Sequence, residues 1–166
     1  MNKISIFSHV VHGNINDVKN YTCNGDINVV NKNGASLLME AIAYGKNDIA
    51  DFLINSGIDI NIQDNAGFSA LHYAVWWKNL PIIKTLIKNG ANVNQVDKKG
   101  NSPLWYSLTL YRNETDLDIV KELMIHGSNP YGMNIFGRSP MAFAQELNEE
   151  IILKVLSNNE VVLKKN

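Results

Sequence analysis

Apolar residues in this chain come in short clusters at helical spacing, and a glycine or a polar turn closes each cluster. Leu38, Ala41 and Ile42 fall on one helical face before Gly45, and Ile49, Phe52 and Leu53 form a second stripe before Gly57. That pattern predicts two short amphipathic helices, the second ended by a residue that can take positive φ. The pair then recurs: Gly67 lies 33 residues after Gly34 and 33 before Gly100, and Gly90 lies 33 after Gly57. A fixed period of this size predicts a solenoid whose unit is a β-turn followed by two antiparallel helices. Leu71, Ala74, Ile83 and Leu86 are the expected contacts between neighbouring units.

Residues 64–96 form the most complete unit. Ser69 is placed to cap its first helix, as Ser36 does one period earlier, and Pro81 suits the first turn of the second helix. Asp48 and Asp118 are the expected caps of the equivalent second helices. Asp26-Ile27-Asn28, Asp59-Ile60-Asn61 and Asn92-Val93-Asn94 recur as hairpins, where Asn tolerates left-handed backbone and bonds its own neighbours. His72, three residues after Ser69, is expected to bond loop backbone of the adjacent unit.

Ser69-Ala70-Leu71-His72-Tyr73-Ala74 resembles the Thr-Pro-Leu-His-x-Ala helix start of ankyrin repeats, and Gly90-Ala91-Asn92-Val93-Asn94 is similar to their Gly-Ala-Asp-Val-Asn helix end. Ser36 to Ala41, Ser102 to Ser107 and Ser139 to Ala144 occupy the same frame, although only the third unit keeps the His. The resemblance implies an all-α ankyrin-repeat solenoid of about five helix-turn-helix repeats joined by β-hairpin loops. The expected repeats are about 1–30, 31–63, 64–96, 97–133 and 134–159, making one domain over 1–159 with a C-terminal tail at 160–166 in which Val161, Val162 and Leu163 could dock. The first repeat is shortened, as a terminal repeat with one wet face is expected to be. The fourth departs from the period, since Gly100 to Gly137 is 37 residues; the extra residues are placed around 110–114, between its two helices. Pro130-Tyr131 replaces the usual Val-Asn, which predicts a distorted hairpin. In the last repeat Ile152, Val155 and Leu156 are expected to close the stack, with Glu146, Glu149, Glu150 and Lys154 facing solvent.

Composition narrows the function. The chain of 166 residues is 45% hydrophobic and 19% charged, with a formal net charge of −1, which argues against nucleic-acid binding because phosphate recognition needs concentrated Lys and Arg. No apolar run reaches the length of a signal peptide or a membrane span, so no membrane association and a cytoplasmic location are expected. Cys23 is the single cysteine, consistent with a reducing compartment. Asn20 and Asn113 match glycosylation acceptors, which chance in an Asn-rich chain accounts for. Abundant Asn, Ile and Lys hint at an AT-rich genome.

Catalytic constellations are missing from the sequence: there is no Gly-rich phosphate loop and no paired acid and base. His9 and His12 share a helical face and could begin a metal site with Cys23, but further ligands at recognisable spacing are lacking. No cofactor is expected. The resemblance implies a non-enzymatic module that holds a protein partner on a concave face of turn tips and first helices, and that is monomeric when free. A chain read as all repeats suggests a stand-alone inhibitor or immunity protein that neutralises a toxin or enzyme; the alternatives are a pathogen-encoded effector or host-range factor and, less favoured, a metal-dependent enzyme.

In that frame the residues free to meet a partner are Asn33, Tyr44, Asn65, Phe68, Trp76, Trp77, Lys98, Lys99, Asn101, Tyr111, Arg112, Phe136 and Arg138. Phe68, Trp76, Trp77 and Tyr111 are the expected centre, because large aromatics dominate interface energetics, and Lys98 and Arg112 the expected rim. One Trp could instead fold over the helix end at Lys78, where other repeats have Gly. Ankyrin hairpins also resemble substrates of asparaginyl hydroxylases, in which a Leu lies eight residues before the target. Leu53 and Leu86 give that spacing to Asn61 and Asn94, whereas Asn28 lacks it.

Overall fold

The computed structural model describes residues 5–157. Among these residues ten helices follow one another: α1 Ile6–His12, α2 Ile15–Thr22, α3 Leu37–Ala43, α4 Asn47–Asn55, α5 Ala70–Trp76, α6 Leu80–Lys88, α7 Pro103–Thr109, α8 Glu114–Ile125, α9 Pro140–Leu147 and α10 Glu150–Ser157. No strand occurs among the described residues, only an isolated bridge between Val30 and Ser36. Each odd-numbered helix packs on the even-numbered one that follows it, and the short connection turns the chain back. The odd helices contact each other in series, α1 to α3 to α5 to α7 to α9, and the even helices do the same from α2 to α10. The result is two parallel rows of helices, with Leu71, Ile83, Leu86, Leu104 and Leu108 fully buried between them.

Serine starts the odd helices for the reason read from sequence: an oxygen on an extended residue can accept an otherwise orphaned N–H. The Ser36, Ser69, Ser102 and Ser139 side chains accept from Met39, His72, Trp105 and Ala142, respectively. The even helices differ from expectation. Lys46 occupies the N-cap of α4 without a side-chain cap bond, and Asp48 lies inside the first turn; there it acts on the partial positive charge of the helix start and is not the cap. Asp118 is not the cap of α8 either. Asn113 is, because the extra residues of the fourth unit lengthen α8 to 12 residues against nine in α4 and α6. Asp118 thereby falls in the second turn, where it pairs with Lys121 at 3.3 Å.

Neighbouring units are tied at two places in the loops that join them. At the hairpins, Asn28 Oδ1 accepts from Asp59 N at 2.8 Å, Asn61 Oδ1 from Asn92 N at 2.9 Å, and Asn94 Oδ1 from Asn129 N at 2.7 Å. The same amides of Asn61 and Asn94 donate onward to the carbonyls of Gly90 and Gly127. The hairpin at Pro130 is not distorted, contrary to the expectation. Tyr131 N donates to Asn129 Oδ1 at 2.9 Å, as Asn61 N does to Asp59 and Asn94 N to Asn92. These turns use a side-chain oxygen and a single N–H, so proline at 130, one place before the donor, costs nothing.

A few residues further along the same loops, turn-tip backbones bond in series: Asn65 N to Asn33 O at 2.9 Å, Lys98 N to Ala66 O at 3.0 Å, and Ile135 N to Lys99 O at 2.9 Å. The tips come close enough that only glycine fits. Gly67 has φ 88°, and a Cβ there would stand 2.7 Å from the Lys98 nitrogen. Val161, Val162 and Leu163 lie outside the described residues.

Candidate functional site

An acidic or amide side chain at the base of each tip organises the tip-and-odd-helix face. Asp64 Oδ1 accepts from Ala66 N and Phe68 N, and its Oδ2 accepts from the Tyr73 hydroxyl at 3.0 Å. Asp97 repeats this with Lys99 N, Asn101 N and the Tyr106 hydroxyl at 2.6 Å. Burial together with the Asp97 bond pushes the Tyr106 hydroxyl up to about 12. Burial alone would raise the Asp97 carboxyl, but the bonds from Tyr106, Asn101 and Lys99 hold it below its ordinary value. Asn31 and Asn134 replace the aspartates in the flanking units; Asn31 donates to Glu40, whereas Asn134, facing the apolar Phe143 position, donates to Asn101 Oδ1 at 2.9 Å.

Asn101 therefore corrects the sequence expectation. It is buried, with its amide bridging Asp97, Tyr106 and Asn134; it is part of the tip's internal network and offers no surface to a partner.

Phe68 also differs from the exposed anchor expected of it. Its ring is half-buried at the centre of an aromatic cluster, 5.2 Å from Tyr106, 5.3 Å from His72, 6.1 Å from Tyr73 and 6.4 Å from Trp76. Trp76 meets Tyr106 edge-on at 5.7 Å, yet both tryptophans remain open, Trp76 at 48% and Trp77 at 58% exposure, with Tyr44 at 54% on the preceding unit. Neither tryptophan stands in for the missing glycine at position 78. Lys78 itself takes the left-handed conformation, φ 53°, and its ammonium binds Asp116 at 2.7 Å. Burial would raise the Asp116 carboxyl, but Lys78 and the Arg112 and Asn113 contacts hold it low.

These rings frame a groove of about 340 Å³ lined by Ala43, Asp64, Ala66, Phe68, Tyr73, Trp76 and Trp77. Small side chains at Ala43 of α3 and Ala66 of the tip leave the space beside the tryptophans open. Ala43, Asp64 and Tyr73 were missed by sequence reasoning; the signal was available, because Tyr73 stands one period after Glu40 and one before Tyr106.

The remaining expected contacts are dispersed. Asn33, Asn65, Lys98 and Lys99 are exposed on successive tips. Tyr111 is half-buried against the core and does not line the groove. Arg112 is exposed, and its guanidinium donates to the Thr109 and Tyr111 carbonyls, closing the end of α7. Phe136 is exposed at the last tip. Arg138 lies 5.7 Å over Trp105 and 5.5 Å over Phe143 and pairs with Glu146, so Glu146 is exposed but engaged.

His72 does what its position predicts. It is buried, its Nδ1 accepts from Ser69 N at 3.1 Å, and its Nε2 faces the Asn101 carbonyl at 3.2 Å. Those contacts specify the neutral ring with the proton on Nε2, linking two units. Burial lowers its pKa from 6.5, against smaller opposing effects of the Asn101 carbonyl, Asp97 and Asp64. Because the folded state binds the proton less readily than the unfolded chain, His72 supports the fold above pH about 6.5, and that support is lost as pH falls toward the lower folded value. Acidification from pH 7.5 to 5 should thus lower the melting temperature more in the wild type than in His72→Gln; parallel profiles would contradict it. The paired comparison is needed because burial raises Glu40, which acts with the opposite sign.

His9 bonds Asp17 at 2.9 Å and His12 bonds the Ser8 carbonyl at 2.7 Å, while Cys23 is exposed. No group of three or more metal-ligating side chains forms among the described residues. Likewise no described helix is long and apolar enough to cross a membrane.

Two rows of helix pairs, stapled by tip and hairpin bonds, define a repeat array. A family model of ankyrin repeats in three copies matches residues 6–97. The chain belongs to the ankyrin-repeat family, whose repeats generally mediate protein–protein interaction. A comparison with curated proteins returned no match.

Proposed function

We propose that the chain is a non-enzymatic binding module that holds a protein partner on the tip-and-odd-helix face, with Tyr44, Trp76 and Trp77 as the central contacts and with Asn33, Asn65, Lys98, Lys99, Arg112, Phe136 and Arg138 toward the periphery. The observation that carries the reading is the groove: two half-exposed tryptophans beside Ala43 and Ala66, with its one carboxylate, Asp64, already committed to three hydrogen bonds. Large amphipathic rings at a pocket are what interface hot spots are made of. A finer reading is that occupying this face blocks the partner, so that the protein acts as an inhibitor or immunity protein in the cytoplasm; co-expression with a candidate toxin or enzyme, scored by cell survival, tests that part.

The binding reading is tested on a partner recovered by pull-down from the native organism. Trp77→Ala should weaken its binding by about 2 kcal/mol or more with an unchanged melting curve, since Trp77 lies outside the core. Full affinity in a Tyr44, Trp77 double alanine variant would move the contact off this face. Phe68→Ala is a poorer probe, because its ring also supports His72 and Tyr106.

A further inference from the structure

The charge around the groove specifies the chemistry of what fills it. Lys32 and Lys98 flank the tip that forms one wall of the groove: Asn65 Nδ2 donates to the Lys32 carbonyl at 3.2 Å, and Lys98 N donates to the Ala66 carbonyl at 3.0 Å. Lys99 follows on the same tip as Lys98. All three side chains are exposed, and among the described residues none has a carboxylate within ion-pairing distance, whereas Lys78, Lys84, Lys121 and Arg138 each have one.

The acids that share this face are engaged. Asp64 and Asp97 accept tip N–H groups and tyrosine hydroxyls, Glu40 accepts from Asn31, and Glu146 is paired with Arg138. On the even-helix row, exposed acids at Asp48 and Asp51 of α4, Asp118 of α8 and Glu150 of α10 lie among exposed lysines at Lys84, Lys88, Lys121 and Lys154. In a chain whose formal net charge is −1, the tip face thus presents unpaired lysines on both sides of an apolar cleft while its carboxylates are engaged, whereas exposed cations and acids are mixed on the even-helix row.

We infer that the occupant of the groove is an acidic segment of a partner protein, with a large apolar side chain seated between Trp76, Trp77 and Ala66 and carboxylates on either side meeting Lys32, Lys98 and Lys99. The inference rests on the binding reading above and adds the sign of the partner's charge. A rim of like charge around an apolar centre steers and orients a partner of opposite charge.

Selection of a random peptide library on the full chain tests it. The expected consensus is an apolar anchor flanked by Asp and Glu. Peptides so selected should bind at least tenfold more weakly to the K32E/K98E/K99E variant and to Trp77→Ala, and more weakly as salt rises, while Lys88→Glu on the even-helix row should leave affinity unchanged. A neutral or basic consensus that still depends on Trp77 would overturn the charge inference and leave the groove intact. Peptides indifferent to Trp77, or none enriched over the Trp77→Ala background, would remove both. Exposed tryptophans beside lysines also suit stacked bases and phosphates; salt-sensitive, Trp77-dependent binding of a short oligothymidylate in preference to the acidic peptides would replace the inference with a nucleic-acid site.

Discussion

Truncating Leu86 to alanine is expected to remove about 2 to 5 kcal/mol of stability and, with it, much of the array at once. Leu86 is fully buried in α6, where the even-helix row meets α4 on one side and α8 on the other. Close packing leaves no side chain free to fill the space. Repeats gain most of their stability from their neighbours, so a defect in the middle unit weakens two interfaces rather than one. Leu71, at 1% exposure in α5, should behave alike. Chemical denaturation followed by circular dichroism reads the effect, and a midpoint unchanged in both variants would contradict the packing described.

Gly67→Ala should cost about 2 to 4 kcal/mol, through two separable causes. The first is the left-handed backbone at φ 88°, which costs any residue with a Cβ roughly 1 to 2 kcal/mol. The second is the approach of the next tip: the new Cβ would stand 2.7 Å from Lys98 N and 2.9 Å from Asp97 Cα, backbone atoms that move only by breaking the Lys98 to Ala66 bond. Gly137 provides the control, since it has φ 71° and nothing within 4 Å of an added Cβ. Gly137→Ala should show the conformational cost alone. Equal losses at the two positions would mean that the close contact between tips contributes nothing.

How much of this was legible beforehand follows from what each residue depends on. Serine caps, glycine spacing and apolar stripes act within a few residues, so the period and the helix pairs were readable from the chain alone. His72 was readable too, because a capping position and a one-period reach determine its partners. Asp118 was misplaced because helix length was assumed constant; the extra turn at the start of α8 moves the cap to Asn113. Asn101 and Phe68 were misjudged for a different reason. Both occupy variable tip positions, and both are enclosed by side chains one period away, Asn134 for the first and Tyr106 for the second, so their burial is decided between units and not within one. The groove shares that origin: its walls come from α3, α5 and a tip, and only Trp76 and Trp77 announce it locally.

Inter-unit bonds run along both ends of the helix pairs, through tip backbones and asparagine side chains in the loops that join the units and through Asn79 to Asn47 and Lys78 to Asp116 at the turns within them. A stack pinned on only one edge could open like a fan; pinned on both, it behaves as a ruler whose divisions are set before anything touches it. The distance from Tyr44 across to Trp77 and on to the Lys98 tip is therefore part of the folded state, and a ligand that matches it meets a surface with little ordering entropy left to lose. Flexibility at the contact must come from the other molecule, and one whose anchor and charges fall at the wrong interval is rejected by length before chemistry is sampled.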